Sequence, residues 1–303
     1  MDYIVAGGDR GPTSVRLTER MTMTILITGA NGTVSREVLR ELAGKQPLRA
    51  LVRDASRTPG LDGVEYVVGD LDRPTTLTPA FEGVTTLWLL MPMGPLAPSQ
   101  SMNAVWAARQ AGVRHIVRLS AIGAAHDAPT RNGRLHALSD AELQESGIPW
   151  TILRPSHFMQ NLLGAKAGEH LFGLFGDARV GLIDARDIAA AGAAILAAPQ
   201  QHQGKIYTPT GPESITLDQA ADEIARTLGQ QVRYVPQSPE QARDGLLQAG
   251  LDQWSAEVLA EYRVAYGSGW GDFTNDHVER IVGRQPRTFA EFVRDHREHF
   301  ASV

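Results

Sequence analysis

Two hydrophobic patterns alternate along most of the chain. Short, continuous apolar runs rich in β-branched residues are followed by segments whose apolar positions recur every three to four residues. Continuous rather than alternating apolar runs are typical of parallel strands that are buried on both faces. The pattern predicts strands over 24–28, 48–53, 64–70, 87–91, 115–120 and 150–155.

The segments between these strands have helical periodicity. Helices are predicted over 33–42, 101–111 and 134–146, and the last ends before Gly147. After residue 156 the pattern loosens, and short strands at 205–208 and 232–236 lie among helices at 188–196, 217–228, 242–248, 256–266, 277–282 and 289–300. Alternation of this kind predicts an α/β fold in which helices cover a parallel sheet.

The same pattern predicts the domain organisation. Residues 1–22 are polar and glycine-rich and are expected to form a flexible extension. Residues 23–156 would form the cofactor domain, and 157–303 a substrate-binding lobe with some segments returning to the main sheet. Every apolar run is shorter than the ~20 residues that cross a bilayer, and the first residues lack a signal peptide's apolar stretch. We therefore expect a cytoplasmic protein without membrane association.

Composition removes several classes of function. The 303 residues include 29 Lys+Arg and 34 Asp+Glu, a formal charge of −5, which argues against a nucleic-acid partner. The chain has no cysteine, which excludes thiolate nucleophiles, Fe–S clusters and Cys-ligated zinc. His296 and His299 lie on an arginine-rich terminal segment that is typical of a solvated face. We expect no metal site.

The sharpest local signal is a glycine-rich turn between the first strand and the first helix. Gly29 permits the tight turn, and Gly32 lets the backbone approach a pyrophosphate at the helix N-terminus. The third position of the pattern is Ser35 instead of glycine, a small change at a site of close helix packing. Arg53 ends the second strand, where a guanidinium favours a 2′-phosphate, so NADP(H) is preferred. Pairing of Arg53 with Asp54 would instead leave NAD(H) open.

Several segments together resemble the NmrA-like branch of the atypical short-chain dehydrogenases/reductases. They are ITGANGTVSREVLREL at 27–42, ALVRD at 50–54, VVGDLDRP at 67–74, GVRHIVRLSAIGA at 112–124, SGIPWTILRPSHFMQN at 146–161, IDARDIAAA at 183–191 and RTFAEFVRDH at 287–296. The resemblance implies a Rossmann-like, doubly wound parallel sheet with helices on both faces and a smaller, mostly helical C-terminal lobe. It also implies a nicotinamide dinucleotide in the cleft between them.

The resemblance also implies which residues contact the cofactor. Gly29, Asn31, Gly32, Thr33 and Val34 would surround the pyrophosphate, Arg53 the adenosine ribose, Asp70 and Leu71 the adenine, Leu90, Met91 and Pro92 the middle of the cofactor, and Pro155 and Phe158 its nicotinamide end. For Asp70 a simple cap at the end of a strand is the alternative.

The residues for chemistry depart from the usual pattern of this superfamily. No tyrosine has a lysine four positions later, so the common Tyr-x-x-x-Lys pair is absent. His136 lies eleven residues before Gly147, where relatives place a functional lysine or histidine. With a pKa near ~6.5 it could be a general acid, position the nicotinamide ribose and substrate, or be an ordinary helix residue. Asp140, four residues on, could orient its imidazole.

Ser120 ends the fifth strand, at the edge where ligands bind in such sheets, and could hold a substrate oxygen or be a plain strand-to-loop residue. An apolar or aromatic substrate is expected against methionine and aromatic side chains, namely Met93, Phe158, Met159, Trp254 and Trp270.

The expected function is an NADP(H)-dependent oxidoreductase that transfers hydride to or from a quinone, ketone, imine or enone. The alternative is a non-catalytic regulatory protein that senses NAD(P). Monomer and homodimer both remain open.

Overall fold

The computed structural model describes residues 23–302, so the predicted extension over residues 1–22 lies outside the described residues. The strands are β1 (Thr24–Ile27), β2 (Leu48–Val52), β3 (Val64–Val68), β4 (Val84–Leu89), β5 (His115–Leu119), β6 (Trp150–Leu153), β7 (Lys166–Ala167), β8 (His170–Leu171), β9 (Lys205–Tyr207) and β10 (Arg233–Tyr234). The helices are α1 (Thr33–Leu42), α2 (Thr78–Phe81), α3 (Ala97–Gln110), α4 (Arg131–Glu145), α5 (Ala185–Ala197), α6 (Leu217–Leu228), α7 (Pro239–Gln248), α8 (Gln253–Gly267), α9 (His277–Val282), α10 (Phe289–Asp295) and α11 (Arg297–Ala301).

The main sheet of this part of the chain has seven parallel strands in the order β3-β2-β1-β4-β5-β6-β9. The order reverses between β1 and β4, so a crevice opens there at the carboxyl edge. This is the doubly wound, Rossmann-like sheet that the sequence predicts, and the fold prediction is confirmed.

Helices cover both faces of the sheet because its strands are apolar on both sides. On one face α1 and α5 pack on side chains such as Ile25 and Trp88; on the other, Leu26 and Leu87 belong to the core beneath α3 and α4. Gly192 of α5 lets this helix lie close to the sheet, since a Cβ there would come within 2.5 Å of the Trp88 ring.

The C-terminal lobe has its own core, in which the largest buried side chains are aromatic: Phe175, Tyr266, Phe289, Phe292 and Phe300. A small sheet, β10-β8-β7, borders it. Part of this half of the chain returns to the main fold. Strand β9 pairs with β6, and α5 packs on α1.

Some element boundaries differ from the prediction. The single helix predicted over 289–300 is two helices, because His296 leaves the helical conformation and its Nδ1 lies 2.9 Å from the Phe292 carbonyl. Helix α3 begins four residues before the predicted start, with Pro98 in its first turn, where proline's missing N–H costs nothing. The two-residue strands β7 and β8 have no signal in the sequence.

Candidate functional site

The glycine-rich turn connects β1 to α1 at the crevice. Gly29 has φ +64°, and a Cβ there would lie 3.2 to 3.3 Å from Leu90, so the turn needs glycine. The Gly32 N–H donates to the Gly29 carbonyl at 2.8 Å. Gly32 is also the N-cap of α1, and no side chain caps this helix end. The first amides of α1 therefore face the crevice without a competing side chain, which suits a pyrophosphate.

Ser35 explains why the third position of the glycine pattern tolerates a hydroxyl. Its side chain is fully buried, donates to the Thr28 carbonyl at 2.9 Å and accepts from the indole nitrogen of Trp88 at 3.0 Å. The serine thus fastens α1 to β1 and β4 while staying small enough for close packing.

A crevice of about 270 Å³ runs from this turn along the ends of β2 and β3. It brings together the residues that the sequence assigns to the adenosine and pyrophosphate parts: Gly29, Asn31, Gly32, Arg53, Asp70, Leu71, Leu90, Met91 and Pro92. The amide of Asn31 also donates to the Arg57 carbonyl at 2.7 Å. This bond ties the glycine-rich turn to the loop after β2.

Arg53 and Asp70, two of the charged residues of the crevice, differ in their surroundings. Arg53 is exposed and forms no ion pair within the described chain. Its neighbour Asp54 instead accepts the backbone N–H and hydroxyl of Ser56, at 2.8 and 2.7 Å. The Asp70 carboxylate accepts the backbone N–H of Asp72 at 3.1 Å and so caps the end of β3. Asp70 also lines the crevice.

A second cavity, the central cavity, of about 370 Å³, continues from the crevice across the carboxyl ends of β4, β5 and β6. Leu90, Met91 and Pro92 line both spaces. The central cavity gathers further predicted residues: Thr33, Val34, Met93, Ser120, His136, Pro155 and Phe158. The predicted cofactor and chemistry residues thus form one continuous surface.

His136 lies on the wall of the central cavity, but its chemistry differs from the expectation. Burial, followed by the nearby Arg118 charge, lowers its pKa to about 3, so the imidazole is neutral at neutral pH. The expectation of a pKa near ~6.5 is therefore wrong. A guanidinium can only donate, and Nη2 of Arg118 lies 3.3 Å from Nδ1 of His136. This contact assigns the proton to Nε2.

Asp140 does not orient His136, as the helical spacing suggested. Its Oδ1 accepts from Nε of Arg118 at 2.7 Å, and its Oδ2 accepts from Arg154 at 2.8 Å and from the Ser120 hydroxyl at 2.9 Å. Arg118 is the group that contacts both Asp140 and His136. The Ser120 proton is used in this network, so Ser120 can offer the cavity only an acceptor.

The buried Arg118–Asp140 pair is a feature that sequence reasoning missed. The side chains of both residues are 1% exposed, and Arg118 also donates to Ser101 at 3.2 Å. A buried pair of charges is retained only when its hydrogen bonds are satisfied. An arginine within an otherwise apolar central strand is the signal that could have indicated it.

A polar pair that joins α4 to α8 at the central cavity was also missed. The Tyr262 hydroxyl accepts from the Asn132 amide at 2.9 Å, and both residues line the central cavity. Burial raises the pKa of Tyr262, so its phenol is neutral and can act as a donor. Tyr262 has no lysine four positions later, so the superfamily's usual motif gives no signal for it.

Three predicted substrate residues do not reach the central cavity. Met159 is fully buried in the core of the lobe, and Trp254 packs against that core. Trp270 lies at a tilt against Tyr262 and Tyr266 and covers Gly123. The aromatic or thioether side chains of these three residues pack in or against the core of the lobe, and they do not line the central cavity.

Other charged residues hold the fold together. Asp184 caps α5 by accepting from the Arg186 N–H at 2.9 Å, and Asp187 accepts from the Arg287 N–H at 2.6 Å. Across residues 23–302 no group of three histidines or carboxylates is placed to hold a metal ion. His296 and His299 bond backbone carbonyls.

Residues 29–199 match a family model described as NAD(P)H-binding. The chain belongs to this NAD(P)H-binding family. An NAD(P)H azoreductase of Xenophilus azovorans is 36% identical over 92% of this chain and 100% of its own length. The prediction of an NAD(P)H-dependent oxidoreductase of this family is confirmed at this level.

Solved structures support the family fold. An NADPH-dependent quinone oxidoreductase from Escherichia coli, in complex with NADPH, has a TM-score of 0.80 at 28% identity, covering 89% of this chain and 98% of its own. The negative transcriptional regulator NmrA, in complex with NAD, has a TM-score of 0.78 at 17% identity, covering 93% and 98%, and shares the fold. The NmrA-like resemblance is confirmed.

Between residues 23 and 302, no helix is both long and apolar enough to cross a membrane.

Proposed function

We propose that the protein uses NADPH to reduce a small, conjugated, electrophilic acceptor, of which a quinone is the leading example. The observation that carries this proposal is the central cavity, which adjoins the dinucleotide crevice through Leu90, Met91 and Pro92. Its wall combines apolar side chains with polar ones that include His136, Ser120 and Tyr262, as in sites that orient a mainly apolar ligand. Relatives named azoreductase and quinone oxidoreductase support the same class.

A dinucleotide fits the residues present. Gly29 and Gly32 leave space that a Cβ would fill, and the start of α1 lacks a side-chain cap. We assign binding of the 2′-phosphate to Arg53, which lines the crevice and has no ion pair within the described residues, and this role would favour NADPH over NADH. When bound, the nicotinamide supplies a hydride; the protein's part is to orient the acceptor and exclude water.

In this proposal His136 donates from Nε2–H to the acceptor oxygen and holds the acceptor in position, equally in the bound complex and in the transition state. The neutral imidazole, with its lowered pKa, acts as a hydrogen-bond donor and positioning group rather than as a general acid. Tyr262 offers a second donor from the lobe, and Ser120 an acceptor. The proton that completes reduction of the oxygen then comes from solvent. This gives a site that works without Tyr-x-x-x-Lys.

The test is NADPH consumption, followed by absorbance, over a panel of quinones, azo dyes, ketones, imines and enones. We expect turnover with quinones and none in a Gly32→Val variant that cannot bind the dinucleotide. A protein that binds NADPH but oxidises it with no member of the panel would contradict the proposal and favour the regulatory alternative.

A further inference from the structure

A third cavity, the lobe cavity, of about 420 Å³, lies beside the central cavity within the C-terminal lobe. Its walls come from the segment 161–175, which includes β7 and β8, and from the inner face of α7. The lining is largely apolar, with Leu162, Phe172, Phe175, Leu246 and Ala249 among its members. A volume of this size is within the range of small-molecule sites, roughly 300–1,000 Å³.

Two residues line both the lobe cavity and the central cavity, His157 and Asn161. The amide nitrogen of Asn161 lies 3.1 Å from Nε2 of His157. The imidazole of His157 forms edge-to-face contacts with two aromatic rings. Its centroid is 5.6 Å from that of Tyr266, on the side of the central cavity, and 4.8 Å from that of Phe175, on the side of the lobe cavity. His157 is therefore the partition between the two spaces.

The partition is uncharged at neutral pH. Burial lowers the pKa of His157 to about 4, and its ring contacts two aromatic side chains. A neutral imidazole beside phenyl and phenol rings offers a flat aromatic molecule edge and face contacts without an ionic cost.

The central cavity, of roughly 370 Å³, would hold the nicotinamide and the reacting part of the acceptor. The neighbouring apolar volume behind His157 and Asn161 offers further room to an acceptor with a second ring.

We propose that the lobe cavity is the distal half of the substrate site and receives the second ring of an extended, planar aromatic acceptor, with His157 and Asn161 at the waist between the two rings. This inference rests on the proposed function, since it assumes that the reacting ring lies in the central cavity. It makes the preferred substrates two-ring molecules rather than single-ring ones.

Gly245 of α7 allows a direct test. It lines the lobe cavity, its φ is not in the left-handed region, and a Cβ there meets no atom within 4 Å, so the backbone accepts a larger residue without strain at Cβ. Gly245→Phe is designed to place a phenyl ring in the cavity. Leu247→Phe is the matched control, because Leu247 is on the same helix, is 39% exposed and does not line the cavity.

The measurement is equilibrium binding of hydroxyazobenzene, a two-ring probe, to the protein saturated with NADP⁺, by calorimetry. We expect Gly245→Phe to weaken probe binding at least about tenfold. Probe affinity should be unchanged in Leu247→Phe, and both variants should keep the wild-type affinity for NADP⁺. Turnover of benzoquinone, a one-ring acceptor, should be equal in wild type and Leu247→Phe.

Equal probe affinity in wild type and Gly245→Phe, or a wild type that does not bind the probe, would overturn the inference. Because binding is measured without turnover, this outcome is distinct from failure of the proposed function, in which no acceptor oxidises NADPH although the probe binds.

Discussion

At the scale of single residues, the site depends on groups whose partners are far away in the chain. Arg118 of β5 contacts Asp140 and His136 of α4, and Ser120 also donates to Asp140. Position on one helix suggested a His136–Asp140 pair, because spacing along an element is visible in the sequence. The contact of Arg118 with both residues is not visible in the sequence, since Arg118 lies on a different element, β5. Residue choice was predictable here; the pairing was not.

His136 provides a prediction about pH and substrate affinity. In His136→Asn, kcat should change little and KM for the acceptor should rise roughly 2- to 10-fold, the effect of one lost neutral hydrogen bond. Because its pKa is lowered to about 3, wild-type kcat/KM should have no inflection from this group between about pH 5 and pH 8. Steady-state kinetics over that range measures both.

The exposed His126, which lies outside the central cavity, supplies the control variant His126→Asn. A loss of kcat of about 100-fold or more in His136→Asn, with an inflection near pH 6.5 that vanishes in the variant, would make His136 the general acid instead.

Arg53 provides a prediction about the choice of cofactor. Arg53→Ala should weaken NADPH binding by roughly 10- to 150-fold and leave NADH binding nearly unchanged, because only the 2′-phosphate loses a charged hydrogen bond. Titration with each nucleotide tests this. Arg114→Ala, which removes an exposed charge at the opposite edge of the sheet, is the control. An unchanged NADPH/NADH ratio in Arg53→Ala would exclude this role.

At the scale of elements, the turn from β1 to α1 was the most predictable part of the site. Its glycines are required locally, by a positive φ at Gly29 and by the approach of Leu90, so the motif carries the information itself. The lobe was less predictable. Met159 and Trp270 pack in the core of the lobe and do not line the central cavity. The sequence does not distinguish these two locations for an apolar side chain, because the location depends on how distant helices pack.

The turn yields a prediction for Gly32. Gly32→Val should abolish measurable NADPH binding, since its branched side chain would occupy the approach to the first amides of α1. The variant should remain folded, because φ −76° at this position is accessible to any residue. Its thermal midpoint should fall modestly, because the added Cβ would lie 3.1 Å from the Gly29 carbonyl oxygen. Calorimetric titration and thermal unfolding provide the two measurements. Gly94→Val is the matched control, at a site with open space outside the crevice and the central cavity.

At the scale of the whole molecule, three imidazoles, of which His115 is buried and His136 and His157 are half-buried, connect stability to pH. Burial lowers the pKa of His115 to about 4, of His136 to about 3 and of His157 to about 4, from an ordinary value of 6.5. In the folded state these rings are neutral around pH 5, whereas in the unfolded state they take up protons below about pH 6.5. Acid therefore stabilises the unfolded chain.

We expect the free energy of unfolding to fall from pH 7.5 to pH 5, by up to about 1.4 kcal/mol per pH unit for each imidazole. Urea unfolding at several pH values measures it. The slope should be shallower in His115→Gln, which removes one titrating ring that is 3% exposed in the fold. A stability that is constant or rises over this interval would contradict the three lowered pKa values.

The return of the chain to the main sheet after the lobe has a consequence for biosynthesis. The outer edge of β6 is paired only after β9 has been synthesised, and the apolar face of α1 is covered only after α5 has been synthesised. A nascent chain leaving the ribosome therefore exposes an unpaired strand edge and an uncovered helix face until most of the protein is translated. Such distant pairings raise the contact order. We therefore expect the native sheet to be completed late in folding, and the cofactor crevice to form together with the lobe.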